Sequence, residues 1–181
     1  MTQAFDIAAN RKAAKWSKRE LAGRLVWEVL RTPLFAWSPR QFWGWRRSIL
    51  RVFGAKIAAH VHVHSTVKIA IPWNLEIGEA AAVGDAVQIY NLGMITIGAR
   101  ATVSQNAHLC AGTHDYKVPD MPLVKATIAI EEDAWVCADA YVGPGVTIGK
   151  SAVLGARAVA VKDVPGAMIA VGNPARPVKS R

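Results

Sequence analysis

The sequence predicts a mainly β protein, a parallel β-helix of about five coils preceded by an α-helical segment. Apolar residues recur every six positions over fifteen repeats between residues 57 and 160, and another apolar or small residue lies two positions before each of them. This i, i+2 pairing points alternate side chains to one face of a short strand. A helix would instead need an apolar spacing of about 3.6 residues.

The spacing between repeats also indicates how the strands are arranged. The step exceeds six residues only after every third repeat, at Ile69, Ile89 and Leu109. Three repeats therefore form one coil of a triangular prism, and all three insertions leave one corner, stacked at about 4.8 Å per coil. Short strands of a β-sandwich would be joined by turns of irregular length, which this sequence does not have.

The amino-terminal third carries most of the excess positive charge. Residues 1–55 hold 11 Lys or Arg against 3 Asp or Glu, whereas residues 56–181 hold 11 against 10. Five of the seven tryptophans also lie in the first segment. A local asymmetry of this kind indicates an acidic partner for that segment rather than for the whole protein.

Two helices are predicted in this basic segment. Ser17 and Glu20 have the spacing of a capping box, which indicates a helix over residues 17–31 that ends at Pro33. A second helix is expected from about residue 41 to 53. The helices either cap the first coil, whose strand edges would otherwise be open, or contact an anionic membrane through residues 11–55. No nucleic acid partner is expected.

The cellular location follows from what the sequence lacks. Cys110 and Cys137 are too few for a disulfide framework, and no apolar run has the length of a signal peptide or a membrane span. We therefore expect a cytoplasmic protein, with the inner face of the plasma membrane as the alternative.

Several motifs resemble those of a known family. The repeats, the loop Cys110–Tyr116 and the run Val161–Arg176 resemble the left-handed β-helix, hexapeptide-repeat acyltransferases. Tyr90-Asn91-Leu92 and Thr113-His114-Asp115-Tyr116 are most similar to the colanic acid biosynthesis type of acetyltransferase. The resemblance implies a left-handed coil and a homotrimer with sites between subunits. It also implies acetyl transfer from acetyl-CoA to a hydroxyl of a sugar or lipid-linked saccharide in polysaccharide biosynthesis, with no metal required.

The charge distribution and the resemblance together divide the chain into three parts. Residues 1–55 are the helical cap or membrane-surface segment, and residues 56–165 are the β-helix, with a catalytic loop at 110–127. Residues 166–181 form a coenzyme-binding tail.

The resemblance assigns His114 as the catalytic base, because the acceptor hydroxyl must lose its proton as it attacks a thioester. Asn91 leaves the same corner one coil below, so we expect it beside His114, where it would hold the acceptor or the imidazole. A turn residue with left-handed backbone is the alternative for Asn91. Asp115 and Tyr116 are expected to contact the acceptor, although Asp115 also suits a turn.

The remaining site residues are expected to bind the coenzyme. Small side chains would line a groove for the pantetheine arm, and cations would hold the phosphates. The residues are Trp135, Ala138, Gly155, Ala156, Val161, Lys162, Asn173, Arg176 and Lys179.

Two other functions compete with this one, and a further group of histidines is considered separately as a metal site. His108 and His114 could be two ligands of a γ-type carbonic anhydrase, but a third histidine is missing from this region. His60, His62 and His64 share the outer face of the first coil, where a metal site is conceivable and plain surface is the alternative. A non-catalytic assembly subunit would bind no coenzyme A.

Overall fold

The computed structural model describes residues 5–181. Three α-helices open the chain, α1 (Ile7–Lys12), α2 (Lys18–Arg31) and α3 (Trp43–Val52), with a π-helical turn at Thr32–Ala36. A left-handed parallel β-helix follows and forms the rest of the protein. A single 3₁₀ turn, Pro72–Asn74, interrupts it after the first coil.

Nineteen short strands are present in the described residues. They are β1 (Lys56–Ile57), β2 (His62–Val63), β3 (Lys68–Ile69), β4 (Leu75–Ile77), β5 (Ala82–Val83), β6 (Gln88–Tyr90), β7 (Ile95–Ile97), β8 (Thr102–Val103), β9 (His108–Cys110), β10 (Gly112–His114), β11 (Leu123–Lys125), β12 (Ile128–Ile130), β13 (Trp135–Val136), β14 (Tyr141–Val142), β15 (Thr147–Ile148), β16 (Val153–Leu154), β17 (Val159–Ala160), β18 (Met168–Gly172) and β19 (Ala175–Ser180).

The strands form the three faces of a prism. Sheet A contains β1, β4, β7, β12 and β15, sheet B contains β2, β5, β8, β13, β16 and β18, and sheet C contains β3, β6, β9, β14 and β17, all parallel. Five successive strands in each sheet give the five coils that the sequence predicted. A partial sixth turn, made by a bridge from Ile148 to Val164 and by β18, was not predicted. The hairpin β18–β19 closes this end.

All three insertions leave the corner between sheets C and A, which we call the insertion corner. They join β3 to β4, β6 to β7 and β9 to β12, as the spacing predicted. The thirty positions predicted to point inward, from Ala55 to Ala160, are all buried. The six-residue period therefore located both the core and the corner.

The predicted helix over residues 17–31 is present. Ser17 is the N-cap of α2, and its side chain and that of Glu20 form the reciprocal capping box. The α-helix ends at Arg31, as predicted, but the helical backbone continues past Pro33 in another form. Proline lacks the N–H that an α-helix needs, but the chain continues as a wider π turn in which the Trp37 N–H donates to the Thr32 carbonyl.

The helices cover the open end of the first coil. Arg46 of α3 is completely buried, and its Nε donates to the Val63 carbonyl at 2.6 Å. Arg47 donates to Val61 and Arg51 to Ile57, while the buried Trp27 indole of α2 donates to Ile69. These carbonyls have no earlier coil to bond to, so side-chain donors satisfy them instead. In residues 5–181, no helix is both long and apolar enough to cross a membrane.

Replacing the buried guanidinium should destabilise the fold. Arg46→Met removes donors to Val63, Ser38, Pro39 and Arg40, leaving buried acceptors unsatisfied. We expect the free energy of unfolding to fall by about 3 kcal/mol, measured by urea titration with tryptophan fluorescence. Arg40→Met at an exposed side chain is the control, and equal stability of the two variants would contradict the capping role.

Candidate active site

The third insertion folds into an antiparallel hairpin that presents His114. Strands β10 and β11 pair with Gly112 opposite Lys125 and His114 opposite Leu123. The hairpin stands directly on the second insertion, because a Cβ added to Gly112 would lie 2.8 Å from the Leu92 side chain. The insertions are therefore stacked, as the repeat spacing predicted.

His114 is exposed, and one of its ring nitrogens is held in place. Its Nδ1 lies 2.6 Å from the carbonyl oxygen of Met121. A carbonyl oxygen can only accept a hydrogen bond, so Nδ1 carries the proton and donates it. In the neutral ring this leaves Nε2 with the free lone pair, which is the state that a general base requires.

The two residues after His114 differ in their surroundings. The Asp115 carboxylate accepts the Lys117 N–H at 3.0 Å, and the Asp115 N–H donates to the Pro122 carbonyl, so this residue shapes the turn of the hairpin. Tyr116 is 71% exposed and free to contact another molecule.

Asn91 is completely buried and is not hydrogen bonded to His114. Its Oδ1 accepts the Ile71 N–H at 3.0 Å, and its Nδ2 donates to the carbonyls of Ile71 and Asn74. The carboxamide thus holds the first insertion beneath it, and contact with an acceptor would require these bonds to break. Its backbone is also not in the left-handed region, so the turn alternative was wrong.

Four of the residues expected to bind coenzyme lie along the corner between sheets B and C, which we call the coenzyme column. Ala138 and Ala156 occupy equivalent turns of successive coils, linked by the Arg157 N–H to the Ala138 carbonyl at 3.0 Å. Gly155 packs beneath β18, and the turn at Asn173 continues the column above it. Ala156 and Asn173 are exposed.

The other five lie elsewhere. Trp135 is on the outer face of sheet B, where its indole donates to Ser104 Oγ at 2.8 Å. Arg176 and Lys179 are exposed on β19. Val161 and Lys162 are exposed at the insertion corner, two coils beyond the hairpin.

One copy of the chain does not bring these groups together. His114 leaves the insertion corner between sheets C and A, whereas the coenzyme column follows the corner between sheets B and C. A face of the prism therefore separates them.

A cavity of about 470 Å³ lies between α2 and sheet C, at the base of the hairpin. Arg24 and Arg31 of α2 line it from one side, and Lys68, Tyr90 and Cys110 line it from the sheet. No salt bridge involves these three cations within residues 5–181. The sequence did not reveal this cavity, because no local motif relates α2, which ends at Arg31, to strands that begin only at Lys68.

Three of the four remaining histidines have packing partners. His62 stacks on Trp43 with ring centroids 4.9 Å apart, and His64 Nδ1 lies 2.9 Å from Asp85 Oδ1. His108 packs edge-on against Tyr141, and burial lowers the pKa of His108. Among the described residues, no group of three His, Cys, Asp or Glu could hold a metal ion.

The stacking beneath the hairpin can be tested by adding one methyl group. In Gly93→Ala the new Cβ would overlap the Ala126 carbonyl oxygen, so the backbone of the hairpin base must move. We expect a loss of about 2 kcal/mol of stability and faster proteolysis within residues 111–127. Gly44→Ala, whose Cβ meets only an ordinary contact at 3.7 Å, should change neither property. Unchanged proteolysis of Gly93→Ala would contradict the stacking.

The fold recurs in proteins of known structure. No family model matches the chain. The structure is similar to a maltose O-acetyltransferase from Clostridium difficile 630, with a TM-score of 0.80, 24% identity and coverage of 91% of this chain and 89% of that one. It is also similar to a hexapeptide-repeat acetyltransferase from Vibrio cholerae bound to acetyl coenzyme A, with a TM-score of 0.78, 22% identity and coverage of 92% and 91%.

The sequence match is closer. The chain is 42% identical over 156 residues, 86% of each protein, to WcaF of Escherichia coli, whose name is that of a colanic acid biosynthesis acetyltransferase. Identity of this extent over most of both chains shows a common family, and it agrees with the motifs around Asn91 and His114. The protein therefore belongs to the hexapeptide-repeat acetyltransferases of the colanic acid biosynthesis type.

Proposed function

We propose that the protein transfers an acetyl group from acetyl-CoA to a hydroxyl of a sugar or lipid-linked saccharide in polysaccharide biosynthesis, with His114 as general base. The observation that carries the proposal is the hydrogen bond from His114 Nδ1 to the Met121 carbonyl, which leaves Nε2 exposed and able to accept a proton. The names of the related proteins support acetyl transfer and polysaccharide biosynthesis.

The reaction follows from the chemistry of a thioester and an alcohol. Nε2 takes the proton of the acceptor hydroxyl as its oxygen forms a bond to the thioester carbonyl carbon. The carbon–sulfur bond then breaks, and the departing sulfur takes the proton from the imidazolium, giving an acetyl ester and free coenzyme A. In between, the ring carries a positive charge, which the Met121 carbonyl stabilises by accepting the hydrogen bond from Nδ1. Backbone N–H groups beside the groove stabilise the oxyanion.

The active site is assembled between subunits of a homotrimer. His114 and the coenzyme column lie at different corners of one prism, and three prisms side by side can place the hairpin of one against the column of the next. Small residues at Ala138 and Ala156 leave room for a narrow pantetheine arm, and Gly155 lets β18 pack close beside it. Trp135 borders this groove.

The phosphates of coenzyme A are held by cations near the same end of the prism. Arg176 and Lys179 on β19 are exposed beside the Asn173 turn, and Lys162 next to Val161 supplies a further cation at the insertion corner. Ammonium and guanidinium groups are what a polyphosphate requires.

The acceptor occupies the cavity beneath α2 and extends along the hairpin toward His114, where Tyr116 and Asp115 contact it. The cavity adjoins the hairpin through Cys110. Its three cations outnumber the one carboxylate in its lining, that of Glu28, which favours an acceptor that carries a phosphate, as lipid-linked saccharides do. Asn91 supports this region from below by fixing the stacked insertions.

The protein works in the cytoplasm at the inner face of the plasma membrane. Along α2, Leu21, Leu25 and Val29 form a stripe in which half or more of each side chain is exposed, close to Lys18 and Arg19. An apolar stripe beside cations suits an anionic lipid surface.

The base can be tested with matched histidine substitutions. His114→Asn should lower the rate of thiol release from acetyl-CoA by about 10²- to 10⁴-fold, because no other group accepts the hydroxyl proton. His60→Asn is the control, since His60 is exposed and asparagine tolerates its left-handed backbone. Thiol release is measured with a panel of acceptors that pairs neutral sugars with their phosphate-linked forms. Full turnover by His114→Asn would show that the proposed mechanism is wrong.

The shared site can be tested by mixing two inactive variants. His114→Asn lacks the base, and Ala156→Trp fills the coenzyme column. Refolding the two together should restore activity, because some mixed trimers pair an intact hairpin with an intact column. Separate refolding of each variant is the control. If both halves of the site came from one chain, the mixture would remain as inactive as its components.

A further inference from the structure

The first helix of the protein contacts the turn of the hairpin that carries His114. The Asp6 N–H donates to the Pro119 carbonyl at 2.8 Å. Asn10 of α1 is only 8% exposed, and its Nδ2 donates to the carbonyls of both Asp120, at 2.7 Å, and Met121. Residues more than 100 positions apart in sequence are thus joined at the tip of the hairpin.

The Met121 carbonyl is the same one that accepts the proton of His114 Nδ1. A carbonyl oxygen has two lone pairs, so it can accept from Asn10 and from His114 together. Met121 has a φ of 44°, a left-handed conformation that is uncommon for a residue with a side chain. The position of this carbonyl therefore depends on what holds it from outside the turn.

Lys15 fixes the orientation of the Asn10 carboxamide. Its ammonium donates to Asn10 Oδ1 at 2.7 Å, which directs Nδ2 toward the two carbonyls. The flipped amide would place its NH₂ group against the ammonium and its oxygen against two carbonyl oxygens, so only one orientation is favourable.

We propose that Asn10 is a positioning residue for catalysis. By holding the Met121 carbonyl, it keeps the proton of His114 on Nδ1 and the lone pair on Nε2, aimed at the acceptor hydroxyl. This inference rests on the proposed role of His114 as general base, and it gives the amino-terminal arm a part in the reaction.

Asn10 is not the only attachment between the arm and the hairpin. Lys125 on β11 lies 4.0 Å from Glu20 and 3.6 Å from the centre of the Trp16 ring, so the other strand of the hairpin is held separately. Loss of the Asn10 amide should therefore leave the hairpin in place and change the orientation of one carbonyl.

The isosteric variant Asn10→Asp tests the proposal, because a carboxylate cannot donate to the two carbonyls. We expect kcat to fall about tenfold, since a misplaced catalytic group loses orientation, while KM for acetyl-CoA stays within about twofold. In ¹⁵N NMR, the fraction of neutral His114 that carries its proton on Nδ1 should fall. Arg11→Ala, an exposed residue of the same helix, is the control and should change none of these.

The outcomes separate this inference from the proposed function. If kcat or the tautomer of His114 is unchanged in Asn10→Asp, the positioning role is overturned. If His114→Asn keeps full activity, the proposed function fails, while the NMR measurement still decides whether Asn10 sets the tautomer.

In a His114→Asn background, Asn10→Asp should have no further effect on the residual rate, and an additional tenfold loss would also overturn the inference. If Asn10→Asp melts at a lower temperature than the wild type, Asn10→Ala replaces it in the same measurements.

Discussion

Every coil of this protein must repeat the same three strands in register with the coil beneath it. Inward residues fill the prism and backbone hydrogen bonds join successive coils, so extra residues can leave only at a corner without shifting the register. All three insertions use one corner, and each rests on the one before. The position of His114 follows from this, because its hairpin stands on Leu92 and Gly93, and they in turn stand on the insertion that Asn91 holds.

The same constraint explains the helical segment. A stack of coils has an open end whose carbonyls no further coil can satisfy, and Arg46, Arg47 and Arg51 donate to them. Three of the positively charged residues of the first third therefore stabilise the fold by donating hydrogen bonds to backbone carbonyls. The segment also extends along sheet C to the hairpin, where Asn10 and Glu20 contact it. One stretch of chain thus closes the core and holds the loop on which the proposed chemistry depends.

Much of the fold was predictable, because strand periodicity and capping boxes are local. The inward positions, the shared corner and helix α2 were all found from spacing alone. Features that depend on distant partners were not. The π turn at Pro33, the direction of the Asn91 side chain and the contact between Asn10 and Met121 each require knowledge of what packs alongside. His114 was identified by resemblance and by its place in a long insertion, whereas the cavity beneath α2 left no signal in the sequence.

In the proposed trimer, His114 of one subunit meets coenzyme bound along the column of another. A crystal structure of the protein with coenzyme A would show whether it does. We expect a trimer in which the thiol lies within reach of His114 Nε2, about 3 to 5 Å away directly or through one water. The same coenzyme should contact Ala138 and Ala156 of the neighbouring subunit. Coenzyme bound along the column of one chain, with every His114 remote from its sulfur, would show that the two do not form one site.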